Sequence, residues 1–235
     1  MAEINLHYLK FETFTLEYSL IFSKRKTLGI TVKPDGKVVV KAPINAKKEL
    51  IEQKIRKRVS WILRQQNYFS SFGEATPKRR FISGETHLYL GRQYILRVSD
   101  GKKNEVRYKG HYFEVDCTDR KKVEKLMQDW YHARAKIKFL EIAEPVISYF
   151  ENLNVSPKGI YIKQMENRWG SCTRSGKIIL NSELIKAPRP CIEYVIIHEM
   201  CHLIHSNHTK EFFNLLSSIM PDWEKWKNKL EKMMY

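Results

Sequence analysis

The chain has 235 residues, 43% of them hydrophobic, and a formal net charge of +16. That is enough apolar material for one large core or two small ones, while no single run approaches the roughly 20 apolar residues of a membrane span. The charge is uneven: residues 1–150 hold 30 basic and 17 acidic groups, and residues 151–235 hold 12 and 9. The positive field therefore belongs to the front of the chain, where it would attract anions such as nucleic acid, nucleotides or acidic protein. The four cysteines, Cys117, Cys172, Cys191 and Cys201, form no C-x-x-C pair, which excludes a thiolate zinc knuckle. Residues 1–7 carry no apolar core of signal-peptide length. A reduced, soluble, cytoplasmic protein with no membrane association is the expectation.

In chain order, residues 8–43 read as strands, with Leu28–Val32 and Val38–Ala42 joined at Pro34-Asp35-Gly36 as a hairpin. Asn45 is placed to cap a helix over 46–69, with Leu50, Ile51, Ile55, Val59 and Ile62 on one face and Lys54, Arg56, Lys57, Arg58 and Arg64 on the other. Residues 70–77 read as a loop. Four short strands follow: Thr86–Leu90, Gln93–Val98, Glu105–Tyr108 and Tyr112–Val115. Neither G-x-x-x-x-G-K nor G-x-G-x-x-G occurs, which counts against a P-loop or a dinucleotide fold. From Thr118 or Asp119 a long helix carries Val123, Leu126, Met127, Trp130, Ile137, Leu140 and Ala143, and Pro145 should kink or restart it.

Residues 161–165, 167–173 and 177–181 read as two strands joined by a turn at Arg174-Ser175-Gly176. Gly170 lets a backbone or ligand come close. Beside a metal helix, such a strand could hold an extended peptide by edge pairing; the simpler reading is a hairpin with a buried Trp169. Pro188 and Pro190 introduce the next helix, and a further helix over Thr209–Ile219 and a last one lined by Trp223, Trp226 and Leu230 close the chain. The expected fold class is α+β: a β-rich basic N-terminal region (1–117) followed by a compact helical domain with a small antiparallel sheet (118–235).

The chemistry concentrates in Val195–His208, where four of the chain's 8 histidines lie. On a helix His198 and His202 share one face a turn apart, as two ligands of one metal require. Glu199 lies about 100° further round and can reach a metal-bound water without competing for the ion. This H-E-x-x-H pattern supplies two ligands and a general base. His208, six residues past His202, is the favoured third ligand, brought back by Asn207 entering the left-handed region and ending the helix. His205 is left open as a contact behind the ligands, a substrate contact or exposed surface. No Lys or Arg occurs from Pro190 through Thr209, as expected around a dication. Candidate substrate contacts are Arg168, Trp169, Gly170, His205 and Asn207.

Asn167-Arg168-Trp169-Gly170-Ser171-Cys172, Ile179-Leu180-Asn181, Tyr194–Leu203, Asn207-His208 and Phe212 together resemble the YgjP-like metallopeptidase family. The likeness extends forward to Gly84-Glu85-x-His87-x-Tyr89-Leu90-Gly91 and Lys33-Pro34-Asp35-Gly36. It implies a zincin-like catalytic domain related to the SprT-like proteins, with His198, His202 and His208 as ligands of one Zn2+ (or another divalent transition metal) and Glu199 as base. The implied activity is a metal-dependent hydrolase, foremost a peptidase acting through an activated water. Hydrolysis of nucleoside triphosphate phosphoanhydrides is the runner-up, and a nucleic-acid-associated zinc protein without catalysis comes third.

Overall fold

The computed structural model describes residues 5–33, 35–70, 79–166 and 168–233, so the expected loop over 70–77, Pro34 and Asn167 fall wholly or partly outside the described residues. The chain divides into two compact units at residue 77/78. The first carries β1 (Asn5–Lys10), β2 (Thr15–Ser23), β3 (Gly29–Val32), β4 (Val38–Pro43) and α1 (Lys48–Ser70). Its sheet order is β1-β2-β4-β3, with β2 and β4 parallel and the outer pairs antiparallel. Alternation puts Leu16, Tyr18 and Leu20 of β2 on the buried face, where they share a core with Ile51, Ile55 and Ile62 of α1. Leu50 is 56% exposed and Val59 only partly buried, so the apolar face of α1 is narrower than the sequence pattern predicts. The expected cap at Asn45 gives way to a turn, in which the Ala46 amide bonds the Pro43 carbonyl and the helix begins two residues late. Lys54, Arg56, Lys57, Arg58 and Arg64 are exposed.

The second unit begins with β5 (Thr86–Tyr89), β6 (Arg92–Asp100), β7 (Glu105–Lys109) and β8 (Tyr112–Cys117), followed by a single turn at Arg120–Lys122 and α2 (Val123–Glu151). The order β5-β6-β8-β7 has the same alternation of antiparallel, parallel and antiparallel pairs as the first sheet. The chain thus uses one arrangement, four strands and a long helix, twice. The expected boundary at 117/118 falls inside this unit, because β8 and α2 share a core: Phe113, Val115 and Cys117 pack with Val123, Met127 and Tyr131. The Asp119 side chain accepts from the Lys121 amide to start the helical run. Helix α2 continues through Pro145 without restarting, and its buried row runs Met127, Tyr131, Ala135, Phe139, Ile142, Val146 and Phe150. Ile137 and Leu140, expected in the core, are 51% and 52% exposed, because the buried stripe lies one helical step away.

β9 (Ile160–Lys163), β10 (Gly170–Cys172) and β11 (Ile178–Asn181) form the third sheet in the order β10-β11-β9. The expected small antiparallel sheet is its β10–β11 hairpin, extended by β9 running parallel to β11. A turn at Ser182–Lys186 leads into α3 (Arg189–Cys201), α4 (Lys210–Ile219) and α5 (Trp223–Lys232). No helix among the described residues is long and apolar enough to cross a membrane. All four cysteines are free, and Cys191 and Cys201 are buried on α3.

The hairpin turn between β5 and β6 fixes the approach to α3. Leu90 and Gly91 have φ of 48° and 79°, the two-residue turn that suits strand twist. Their amides donate to the Ile185 and Lys186 carbonyls, and a Cβ on Gly91 would lie 2.7 Å from Pro188 Cγ.

His87 on β5 is 4% exposed, packs against Phe81, and holds Nε2 3.6 Å from Glu85 Oε2. Burial, reinforced by the charges of Arg79 and Lys186 and opposed by Glu85, lowers its pKa to about 4. The native state then refuses a proton that the unfolded chain accepts, so this contribution to stability is full above about pH 6.5 and is lost as pH falls toward 4. Denaturant unfolding of the wild type should lose stability across that window more steeply than His87→Gln, by up to about 3 kcal/mol; parallel curves would show that His87 is not held neutral.

Candidate metal centre

Helix α3 is buried on almost every side. Ile192, Val195, Ile196, Ile197 and Met200 are at most 4% exposed, and Pro190 occupies the first turn, where a missing N–H costs nothing. Burial of this kind fixes the helix in rotation. It leaves His198 and His202 partly exposed on the remaining face and turns Glu199 into the interior at 6% exposure. The helix ends at Cys201, with His202 as its cap, and the turn is closed by the Leu203, Ile204 and His205 amides bonding back to Met200 and Cys201 carbonyls. Asn207 does not have the positive φ expected of it. The chain reverses through this tight turn instead, and the Asn207 carbonyl accepts from the Thr209 amide just before α4.

The reversal brings His208 back to the pair. Ligand nitrogens of His198, His202 and His208 all lie within 4.8 Å of one another, and the Nε2 atoms of His198 and His208 are 3.0 Å apart. Two imidazole nitrogens on a tetrahedral Zn2+ stand about 3.3 Å apart at the usual bond length, so the set fits such an ion with one position open. Nδ1 of His202 donates to the His205 carbonyl at 3.0 Å, which leaves its Nε2 lone pair free, the usual way a metal-binding imidazole is oriented. His205 thus acts through its backbone, and its side chain is not among those lining the cleft. Burial, then the neighbouring His202 and His208, lower the pKa of His198 to about 3, and burial and His202 lower that of His208. Both are kept in the neutral form that binds metal.

Phe212 of α4 is fully buried beneath the cluster, its ring centroid 5.0, 4.7 and 4.8 Å from those of His198, His202 and His208. Sequence reading named it among the residues that carry the family resemblance and gave it no role at the site. Tyr194 flanks His198 at 5.8 Å and stacks on Trp223 of α5.

Strand β10 forms the opposite wall. Glu199 packs so closely on Gly170 that a Cβ there would lie 2.6 Å from Glu199 Oε1 and 2.9 Å from Val195 Cγ1. Burial pushes the Glu199 carboxyl up to about 7, against the opposing pull of the Cys172 amide and the Arg168 charge; a dication at the histidines would bring it down again. Asn181, 4% exposed, ties the approach to β10: its Nδ2 donates to the Met165 and Arg168 carbonyls at 2.8 and 3.0 Å, and its Oδ1 accepts from the Met165 and Glu183 amides.

The resulting cleft has a volume of about 700 Å³. Of the five residues expected to contact substrate, Arg168, Gly170 and Asn207 line it; Trp169 packs against the hydrophobic core instead. Ser171, Thr173, Arg174 and Ser206, which the sequence did not single out, line it as well. Their only signal was proximity in sequence to Gly170 and His208.

Replacing Phe212 by Leu should weaken Zn2+ binding roughly 10- to 100-fold in calorimetric titration, since it loosens all three imidazoles at once. Unchanged affinity in a folded variant would show that the ring is packing alone.

A family model described as YgjP-like, metallopeptidase domain matches residues 26–233 of the chain, and no curated protein matches it.

Proposed function

The chain belongs to the YgjP-like metallopeptidase family, and from that premise we propose that it is a zinc-dependent peptidase with one ion per chain, held by His198, His202 and His208. The observation that carries the reading is the meeting of three imidazoles with Glu199, the one buried carboxylate among the described residues, in a single cleft. When bound, the ion supplies a Lewis acid and acidifies the water at its open position.

The rest falls to the chain's own groups. Glu199 accepts the proton of the attacking water as its oxygen adds to the peptide carbonyl carbon. It then returns that proton to the amide nitrogen as the C–N bond breaks. Gly170 gives Glu199 room to face the cleft. The Nδ1 bond from His202 to the His205 carbonyl holds that ring in place. Arg168 and Asn207, both on the cleft wall, are the groups we assign to polarising or orienting the substrate. Among the described residues β10 pairs with β11 alone, so we assign its other edge to an extended peptide. The family match favours a peptide; the comparisons add no support for a nucleotide or nucleic acid.

Glu199→Gln should retain one equivalent of metal and lose about 10²- to 10⁴-fold in turnover of peptide substrates; full activity in that variant would remove the base from this assignment. Gly170→Ala should bind metal as the wild type does yet turn over at least tenfold more slowly, because the new methyl displaces the carboxylate. Wild-type rates there would mean that Glu199 works from another position.

A further inference from the structure

We propose that Arg168 and Arg174 select peptides carrying an anionic side chain on each side of the hydrolysed bond, an inference that rests on the peptidase reading above. The lining of the cleft motivates it. Among the described residues, no aromatic ring other than imidazole lines it, and no Leu, Ile, Val or Met does. Ligand clefts usually grip through apolar surface, and this one offers hydroxyls, amides and charge instead. Its lining holds two guanidinium groups and a single carboxylate, Glu199, which is buried at the back and committed to proton transfer.

The two arginines are arranged about one strand. Arg168 precedes β10 and Arg174 follows it, at the turn into β11. The Asn181 amide bonds the Trp169 carbonyl, and the Thr173 amide bonds the Lys177 carbonyl. Residues 169, 171 and 173 therefore face β11, and by alternation the polar backbone groups of Gly170 and Cys172 face away from it. The Cys172 amide on that edge bonds Glu199, so a peptide laid along it pairs through Gly170 and meets Glu199 there. β10 itself spans only Gly170–Cys172, and Arg174 lies in the turn beyond it, so a substrate between the two arginines covers at most roughly 20 Å. The guanidinium groups thus bracket the reacting centre, Arg168 two residues before Gly170 and Arg174 four residues after it.

Both arginines are free to do this. Each is exposed, and no carboxylate among the described residues forms a salt bridge with either; Arg168 Nη1 makes one long bond of 3.4 Å to Ser171 Oγ. A guanidinium presents a planar fork of donors that matches two oxygens of a carboxylate or a phosphate, so aspartate, glutamate and phosphoserine share the required chemistry.

The test uses the full chain loaded with Zn2+ and a set of fluorogenic decapeptides. These differ only at the positions two to four residues before and after the central bond, which carry Glu, Gln, Lys or phosphoserine. We expect kcat/KM to fall in the order anionic, neutral, cationic, by roughly fivefold for each charge matched, and the preference to shrink with added salt. Arg174→Gln should abolish the preference at one end, with rates on the neutral peptide lowered far less; Arg168→Gln should abolish it at the other end and, because Arg168 also orients the substrate beside Glu199, lower the rate on every peptide. Anisotropy of the labelled glutamate peptide on Glu199→Gln should give the same ranking without turnover. Either anion above its neutral counterpart supports the proposal, and the stronger identifies the natural group. Equal rates on Glu and Gln peptides, or a preference that survives the double arginine variant, overturn it while leaving the peptidase standing. If the metal-loaded protein cleaves no peptide at all, both readings fall.

Discussion

His198 and His208 can meet at hydrogen-bonding distance only if they are not both charged. Two imidazolium ions with their Nε2 atoms 3.0 Å apart would repel strongly in a partly dry site. Burial supplies the remedy: it lowers the pKa of His198 and His208 and keeps their lone pairs available. The same burial positions them. Helix α3 is buried on nearly all faces, and its rotation puts His198 and His202 on the one face left partly exposed, toward the cleft, and Glu199 toward β10. Phe212, beneath all three rings, ties α4 and the returning His208 to this arrangement.

The remainder of the second unit holds α3 in place. Its sheet of β5 to β8 buries one face on α2, and α2 packs in turn on α3 and on the turn at Ser182–Lys186. The Leu90-Gly91 turn bonds that same segment through two backbone amides. From the other side, Asn181 bonds the backbone of Met165 and of Arg168 through its side-chain amide. Buried amide side chains carry a cost unless every donor and acceptor is matched, and here both ends of the Asn181 amide are. The cleft is thus a meeting of two rigid walls, a helix held by apolar packing and an edge strand held by hydrogen bonds.

Much of this was legible in the sequence because it depends on local periodicity. The i, i+4 placement of His198 and His202, the strands from β3 to β8 and the Arg174–Gly176 turn all follow from spacing and turn chemistry. The return of His208 to the other two histidines was legible from its interval, although the path assigned to it was wrong: a capping turn at His202 does what was expected of a left-handed Asn207. Other features needed the third dimension. Phe212 reads as one apolar residue among five on an amphipathic helix, and nothing local marks it as the floor of a metal site. The buried row of α2 missed Ile137 and Leu140 because a helix apolar on several sides gives no unique phase. The stretch without Lys or Arg around the histidines is also a one-dimensional fact; the hairpin returns Arg168 and Arg174 to the same cleft from elsewhere in the chain.

The central claim is that three imidazoles of this chain hold one divalent ion and leave a coordination position open. X-ray absorption at the metal edge of the purified full chain, with metal content measured on the same sample, tests it most directly. The account predicts one ion per chain with three imidazole nitrogens and one or two light oxygen neighbours at about 2.0 to 2.1 Å, reduced to two nitrogens in His208→Ala. Sulfur in the coordination shell, a fourth imidazole, or a His208→Ala spectrum identical to the wild type would contradict it.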